Sequence, residues 1–155
     1  LRRVVASPQP RKILDSEAIE LLLKEGHVVI CSGGGGVPVT EDGAGSEAVI
    51  DKDFGAAKLA NILGADTLLI VTSVDAAKIN FNTPDEQALG EVTPDELQQH
   101  IASGQFAAGS MLPKVQAAIE FVSGDPAGRS AIITSLDKTA EAIAGTAGTR
   151  IRFLD

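Results

Sequence analysis

The chain has 155 residues, enough for one domain with a real core, and 44% of them are hydrophobic, so it is expected to fold. Its formal net charge of −8 argues against nucleic acid or an acidic membrane as the main partner. Five phenylalanines are the only aromatic residues, which disfavours a base-stacking surface for single-stranded nucleic acid. Cys31 is the single cysteine, so neither an intramolecular disulfide nor a Cys/His zinc cluster is expected, and a reducing, cytoplasmic setting fits.

The apolar run at Leu1-Arg2-Arg3-Val4-Val5 is too short for a signal peptide, and no stretch approaches the roughly 18 apolar residues of a membrane span. The first residue is Leu rather than Met, which suggests a fragment or processed product, or equally a cloning or proteolysis artefact. Ser7-Pro8-Gln9-Pro10 reads as an extended lead-in, because each proline biases its predecessor away from helix. Asp15 or Ser16 caps a helix with an apolar stripe of Ala18, Ile19, Leu22 and Leu23, which Gly26 stops. His27 to Cys31 reads as a buried strand, Ser32 to Gly36 as a loop, Val37 to Val39 as an extended piece, and Glu41 to Gly45 as an exposed turn.

Asp51 or Asp53 opens a helix running to Gly64, and Thr67 to Thr72 is the second strand. Residues 73–92 read as irregular, with a small hairpin pairing Lys78-Ile79-Asn80 with Gly90-Glu91-Val92. Thr93 caps a helix with Pro94 at its first position. A further helix runs from about Pro113 to Val122, a turn spans Gly124 to Gly128, and a third strand covers Ala131 to Thr134. A helix to about Ala144 and a short strand near Arg150-Ile151 complete the chain. Strands alternating with helices, and apolar on both faces, imply an α/β fold whose mostly parallel sheet is sandwiched between helices. Ligands of such sheets bind beyond the carboxyl ends of the strands, here the loops after Cys31, Thr72 and Thr134.

Three places carry candidate chemistry. Gly33, Gly34, Gly35 and Gly36 let backbone N–H groups approach an anion, or they form a tight turn with no ligand; the spacing is neither a P-loop nor a dinucleotide fingerprint. At Lys52 and Asp53, either Asp53 caps the helix beside a solvated lysine, or it orients lysine ammonium groups toward a transferred phosphoryl group. Lys114, following Pro113 and the Gly109-Ser110 turn, is either a surface lysine or a phosphate ligand at a helix N-terminus. His27 and His100 read as uninformative, and Phe81, Phe106 and Phe121 as core packing.

Along nearly its full length the chain also resembles the carbamate kinases, within the wider amino-acid kinase family. The matching words are Arg2-Arg3-Val4-Val5 with Ser7 to Pro10, Cys31 with Gly33 to Val39, Glu47 to Asp53, and Asn80-Phe81. They continue through Phe106 to Met111 with Pro113-Lys114, Ala131 to Leu136, and Gly148 to Ile151. The resemblance implies an amino-acid kinase-like fold and reversible phosphoryl transfer between ATP and carbamate, giving ADP and carbamoyl phosphate, with Mg²⁺ held mainly by the nucleotide phosphates and no protein metal ligands.

It implies that residues 1–155 form a single domain, the C-terminal nucleotide-binding half, whose partner is an absent N-terminal half in an intact homodimer. This chain alone would then be inactive. Lys52 and Lys114 look like phosphate-contacting lysines and Asp53 like their organiser, with Gly33 to Gly36 facing the cleft. Thr72, Ser73, Val74, Lys78 and Phe81, with Ala108, Gly109, Ser110, Met111 and Pro113, look like the adenine and ribose pocket. Two positions depart from the family pattern: Ser73 stands where an acid is typical and Lys78 where an aromatic is. They support the alternative of a kinase-like module that binds nucleotide or another anion without transfer; a kinase for a different small acid is a third reading.

Overall fold

The computed structural model describes residues 4–125 and 128–154. Arg2 and Arg3, and Pro126-Ala127 within the expected 124–128 turn, lie outside the described residues. The chain divides into two compact units, Leu1–Gly64 and Ala65–Asp155.

The first unit contains two helices and no strand longer than an isolated bridge among its described residues. Helix α1 (Ser16–Lys24) packs on α2 (Lys52–Leu63). Of the stripe expected on α1, Ile19 is buried, whereas Leu22 and Leu23 are exposed. The strand expected at residues 27–31 is not formed: the segment pairs with no strand among the described residues. Its outward side chains Val28 and Ile30 are 96% and 97% exposed, while Val29 and Cys31 on the other face are less so. A continuous apolar run suits a buried strand, but the backbone also needs a partner ladder, and the described residues supply none here. The turn at residues 40–43 falls within the exposed turn expected at Glu41 to Gly45, and the bridge Val39↔Gly45, which the sequence did not predict, closes it.

The second unit holds a four-stranded sheet in the order β1-β5-β6-β4. Its strands are β1 (Thr67–Thr72), β4 (Glu91–Val92), β5 (Ser130–Ser135) and β6 (Thr149–Ile151). Strands β1 and β5 are parallel in the register Thr67↔Ser130 to Thr72↔Ser135, β4 and β6 are parallel, and β5 and β6 are antiparallel. The sheet is therefore mostly parallel, as expected. Every residue of β5 is buried, as a central strand of a covered sheet should be. The core gathers Leu68, Ile70, Leu97, Val115, Phe121, Val122, Ile132, Ile133 and Ile151.

The small hairpin differs from expectation. Strand β2 (Lys78–Ile79) pairs with β3 (Gln87–Ala88), while Glu91–Val92 joins the main sheet beside β6. The nearer return is made possible by a turn stabilised by Asn80 and Asn82, both in the left-handed region at φ 51° and 60°. Helix α3 (Pro94–Ala102) starts with a full capping box between Thr93 and Glu96. Helix α4 spans Met111–Ser123, so Pro113 occupies its third position rather than the expected first. First-turn N–H groups have no acceptor within the helix, so a proline is tolerated there. The last helical stretch is a 3₁₀ turn, Leu136–Lys138, followed by α5 (Thr139–Ile143).

Candidate active site

In the first unit, the glycine loop lies against the residues that open α2. Gly35 has φ +131°, and a Cβ on it would fall 2.0 Å from the carbonyl oxygen of Ile50. Glycine is therefore required at this position by backbone contact. Gly55 on α2 faces the same loop, its Cβ position 3.6 Å from the Gly35 carbonyl oxygen. Ser32, Gly33, Gly35 and Gly36 all have positive φ, and the turn is closed by Gly33 N–H to Cys31 O and Gly35 N–H to Ser32 O, both 2.8 Å.

The helix cap is Asp51, not Asp53: its carboxylate accepts from the Asp53 N–H at 2.8 Å. That leaves the Asp53 side chain available for an ion pair. It accepts from Lys52 Nζ at 3.1 Å, with Asp53 buried at 8% side-chain exposure and the lysine 56% exposed. A buried carboxylate holding an exposed ammonium by a charge-assisted hydrogen bond is the arrangement expected of an organiser. The alternative in which Asp53 caps the helix is not what the structure adopts.

In the second unit, the loops after β1 and β5 emerge at the same end of the parallel pair. Ser135 donates to Asp75 at 2.5 Å, and Thr134 donates to the Asp75 carbonyl, tying Thr72, Ser73 and Val74 to the end of β5. Gln105 accepts from the Asn80 N–H at 2.7 Å and so joins that loop to the turn that leads through Ala108, Gly109 and Ser110. The segments assigned to one pocket are thus linked by Asp75, Ser135 and Gln105, none of which the sequence singled out. Their signal, a short polar residue at the end of a strand or the edge of a turn, is too common to be diagnostic alone.

Two side chains differ from their sequence reading. Phe81 is not core: it is 52% exposed at the tip between Asn80 and Asn82, whereas Phe106 and Phe121 are buried. Lys78 is paired with Glu86 at 2.6 Å across the base of the hairpin. This contact, with the N–H of Asn82, holds the Glu86 carboxyl below the ordinary carboxylate range.

Helix α4 begins at the turn closed by Ser110 N–H and Leu112 N–H to Ala107 O, both 3.1 Å. Ser110 occupies the cap position without a side-chain cap bond. Lys114 lies in the first turn and is 8% exposed, so it is not a surface lysine.

Among the described residues no three His, Cys, Asp or Glu side chains gather as a metal site, and no helix is long and apolar enough to cross a membrane.

The first unit thus sets a glycine loop against a helix that begins with a Lys–Asp pair, and the second opens a helix with a buried lysine in an α/β fold with a mostly parallel sheet. The family model of the amino acid kinase family matches residues 2–135, and the chain belongs to that family. It is 62% identical over 151 residues to a carbamate kinase of Escherichia coli O6:H1, covering 97% of this chain and 49% of that protein. The structure of carbamate kinase from Giardia lamblia bound to AMP-PNP superposes with a TM-score of 0.88 at 41% identity, over 96% of this chain and 48% of that one. A protein of Aeropyrum pernix K1 gives 0.89 at 38% identity, over 99% and 50%. The chain therefore spans about half the length of the relatives it matches.

Proposed function

We propose that this chain is the C-terminal, nucleotide-binding half of a carbamate kinase, transferring a phosphoryl group reversibly between ATP and carbamate. The observation that carries the reading is the Lys52–Asp53 ion pair at the start of α2 beside the glycine loop, in a chain of this family. In phosphoryl transfer the protein's work is positioning and charge neutralisation, and lysines at helix starts provide both. Lys52 and Lys114 contact the phosphates, and Asp53 fixes the direction of the Lys52 ammonium. Thr72, Ser73, Val74, Phe81 and the Ala108 to Pro113 turn hold the nucleoside; exposed Phe81 offers a flat apolar face to the base. Lys78, engaged with Glu86, acts by shaping the hairpin. Mg²⁺ enters on the nucleotide: Asp53 is committed to Lys52, so the donor set suits a metal carried on phosphate oxygens.

The exposed apolar residues of the first unit, Val4, Val28, Ile30 and Val37, support a further polypeptide half that covers them. The reading further assigns the intact protein a homodimeric state and a cytoplasmic location.

The test is complementation. This chain alone gives no ATP from ADP and carbamoyl phosphate; mixed with the N-terminal half of a close relative, it does. Lys114→Ala then lowers kcat/KM by roughly 30-fold, the loss of one charge-assisted phosphate contact of about 2 kcal/mol. Equal activity with and without that substitution rejects the assignment of Lys114. Mg-ADP binding with no turnover after complementation would favour the non-transferring module instead.

A further inference from the structure

A cavity of about 470 Å³ opens in the second unit at the end of the sheet opposite the loops that follow Thr72 and Ser135. Its charged lining among the described residues is Arg129, Arg150, Arg152 and Glu91. The three arginines lie on or beside strands of the main sheet. Arg150 lies on β6, Arg152 just beyond it, and Arg129 just before β5.

Arg150 is held by neutral oxygens. One terminal nitrogen donates to Ser130 Oγ at 3.1 Å, and the other to the carbonyls of Ala142 and Ile143 at 3.0 and 3.3 Å. Capping the end of α5 accounts for where Arg150 sits, but among the described residues no carboxylate pairs with it, and those bonds leave part of its donor fork unused. Arg129 is steadied over the Phe121 ring, 5.2 Å from its centroid. Arg152 is paired with Glu91 at 2.9 Å.

We propose that this cavity binds a small phosphate-bearing dianion through Arg129, Arg150 and Arg152. Guanidinium forks match phosphate oxygens bidentately, and their planar donors are already oriented. The Arg152–Glu91 pair sets the class of ligand. A monocarboxylate offers Arg152 only what Glu91 already gives, whereas a dianion satisfies Arg150 and draws Arg152 away from an exposed pair of small worth. Because the cavity lies at the other end of β5 from the proposed nucleotide loops, its occupancy is a separate event from nucleotide binding.

The probe is inorganic pyrophosphate, titrated calorimetrically into the 155-residue chain carrying Lys114→Ala, which removes the proposed nucleotide phosphate contact. One saturable site is expected. Arg129→Gln and Arg152→Gln should each weaken it at least tenfold while the circular dichroism stays native. Glu91→Gln should tighten it several-fold, a gain that damage to the fold cannot imitate. The absence of saturable binding in the millimolar range overturns the proposal, as does an affinity that these three substitutions leave unchanged.

Discussion

At the scale of single residues, Gly35 and the Asp51–Asp53 pair show how a motif divides its labour. Two acids two positions apart look interchangeable as caps. Asp51 takes the extended conformation a cap needs, with φ −66° and ψ 130°, so Asp53 is the one that enters the helix and meets Lys52. The four consecutive glycines are likewise not equivalent. A Cβ at Gly34 would meet nothing within 4 Å, and its φ is not positive, whereas one at Gly35 would collide with the Ile50 carbonyl. Gly35→Ala should therefore destabilise the chain by about 3 kcal/mol through strain and backbone displacement, and Gly34→Ala by less than about 0.5 kcal/mol. Chemical denaturation of the two variants side by side checks this. Equal stabilities would mean that Ile50 yields easily and that the loop is not locked to the start of α2.

At the scale of elements, the sequence was most legible where local and long-range signals agree. Strands β1 and β5 are apolar runs that find each other, and α3 carries its own start signal in Thr93, Pro94 and Glu96. The Glu96 carboxylate accepts from the Thr93 N–H at 2.7 Å and from its hydroxyl at 2.9 Å, and these bonds hold it below its ordinary pKa of 4.5. A carboxyl depressed in the folded state adds stability that is fully present above the unfolded pKa and is lost as pH falls through the folded one. The melting-temperature gap between wild type and Glu96→Gln should be constant from pH 7 down to about 5.5 and close as pH falls below about 4. A gap that widens in acid would show that the box is not held by the ionised form.

Legibility failed where an element depends on something distant. Residues 27–31 have the apolar run of a buried strand, but pairing is a property of two segments. The hairpin failed for a related reason: Lys78–Ile79 could pair with either downstream run, and the left-handed asparagines at 80 and 82 decided for the nearer. Of the candidate site, Lys52, Asp53 and the glycine loop were readable because they are adjacent in sequence or in a known word. Gln105 and Ser135 were not, because their roles exist only once two loops lie side by side.

For the molecule as a whole, the two units differ in how much apolar surface each buries. The second unit buries a continuous set of large apolar side chains, while in the first the buried hydrophobics are Ile19, Ala57 and Leu59 among the described residues. A unit this poorly filled is stabilised weakly by its own core. Its most exposed apolar pair, Val28 and Ile30, alternates with the less exposed Val29 and Cys31 on a segment that forms no strand. Replacing both with lysine therefore separates two roles that usually coincide. Side chains already in water lose almost nothing on substitution, so the denaturation midpoint of the isolated chain should correspond to a change within about 0.5 kcal/mol. If the segment pairs with a complementary half, the same two lysines put charge into the buried face of the joined sheet, and complementation should fall by at least two orders of magnitude. Amide exchange at residues 27–31 gives the independent readout, fast in the isolated chain and slowed when the second half is added. Activity after complementation that ignores the two lysines would mean that the half docks elsewhere, and the exposed face would then need another explanation.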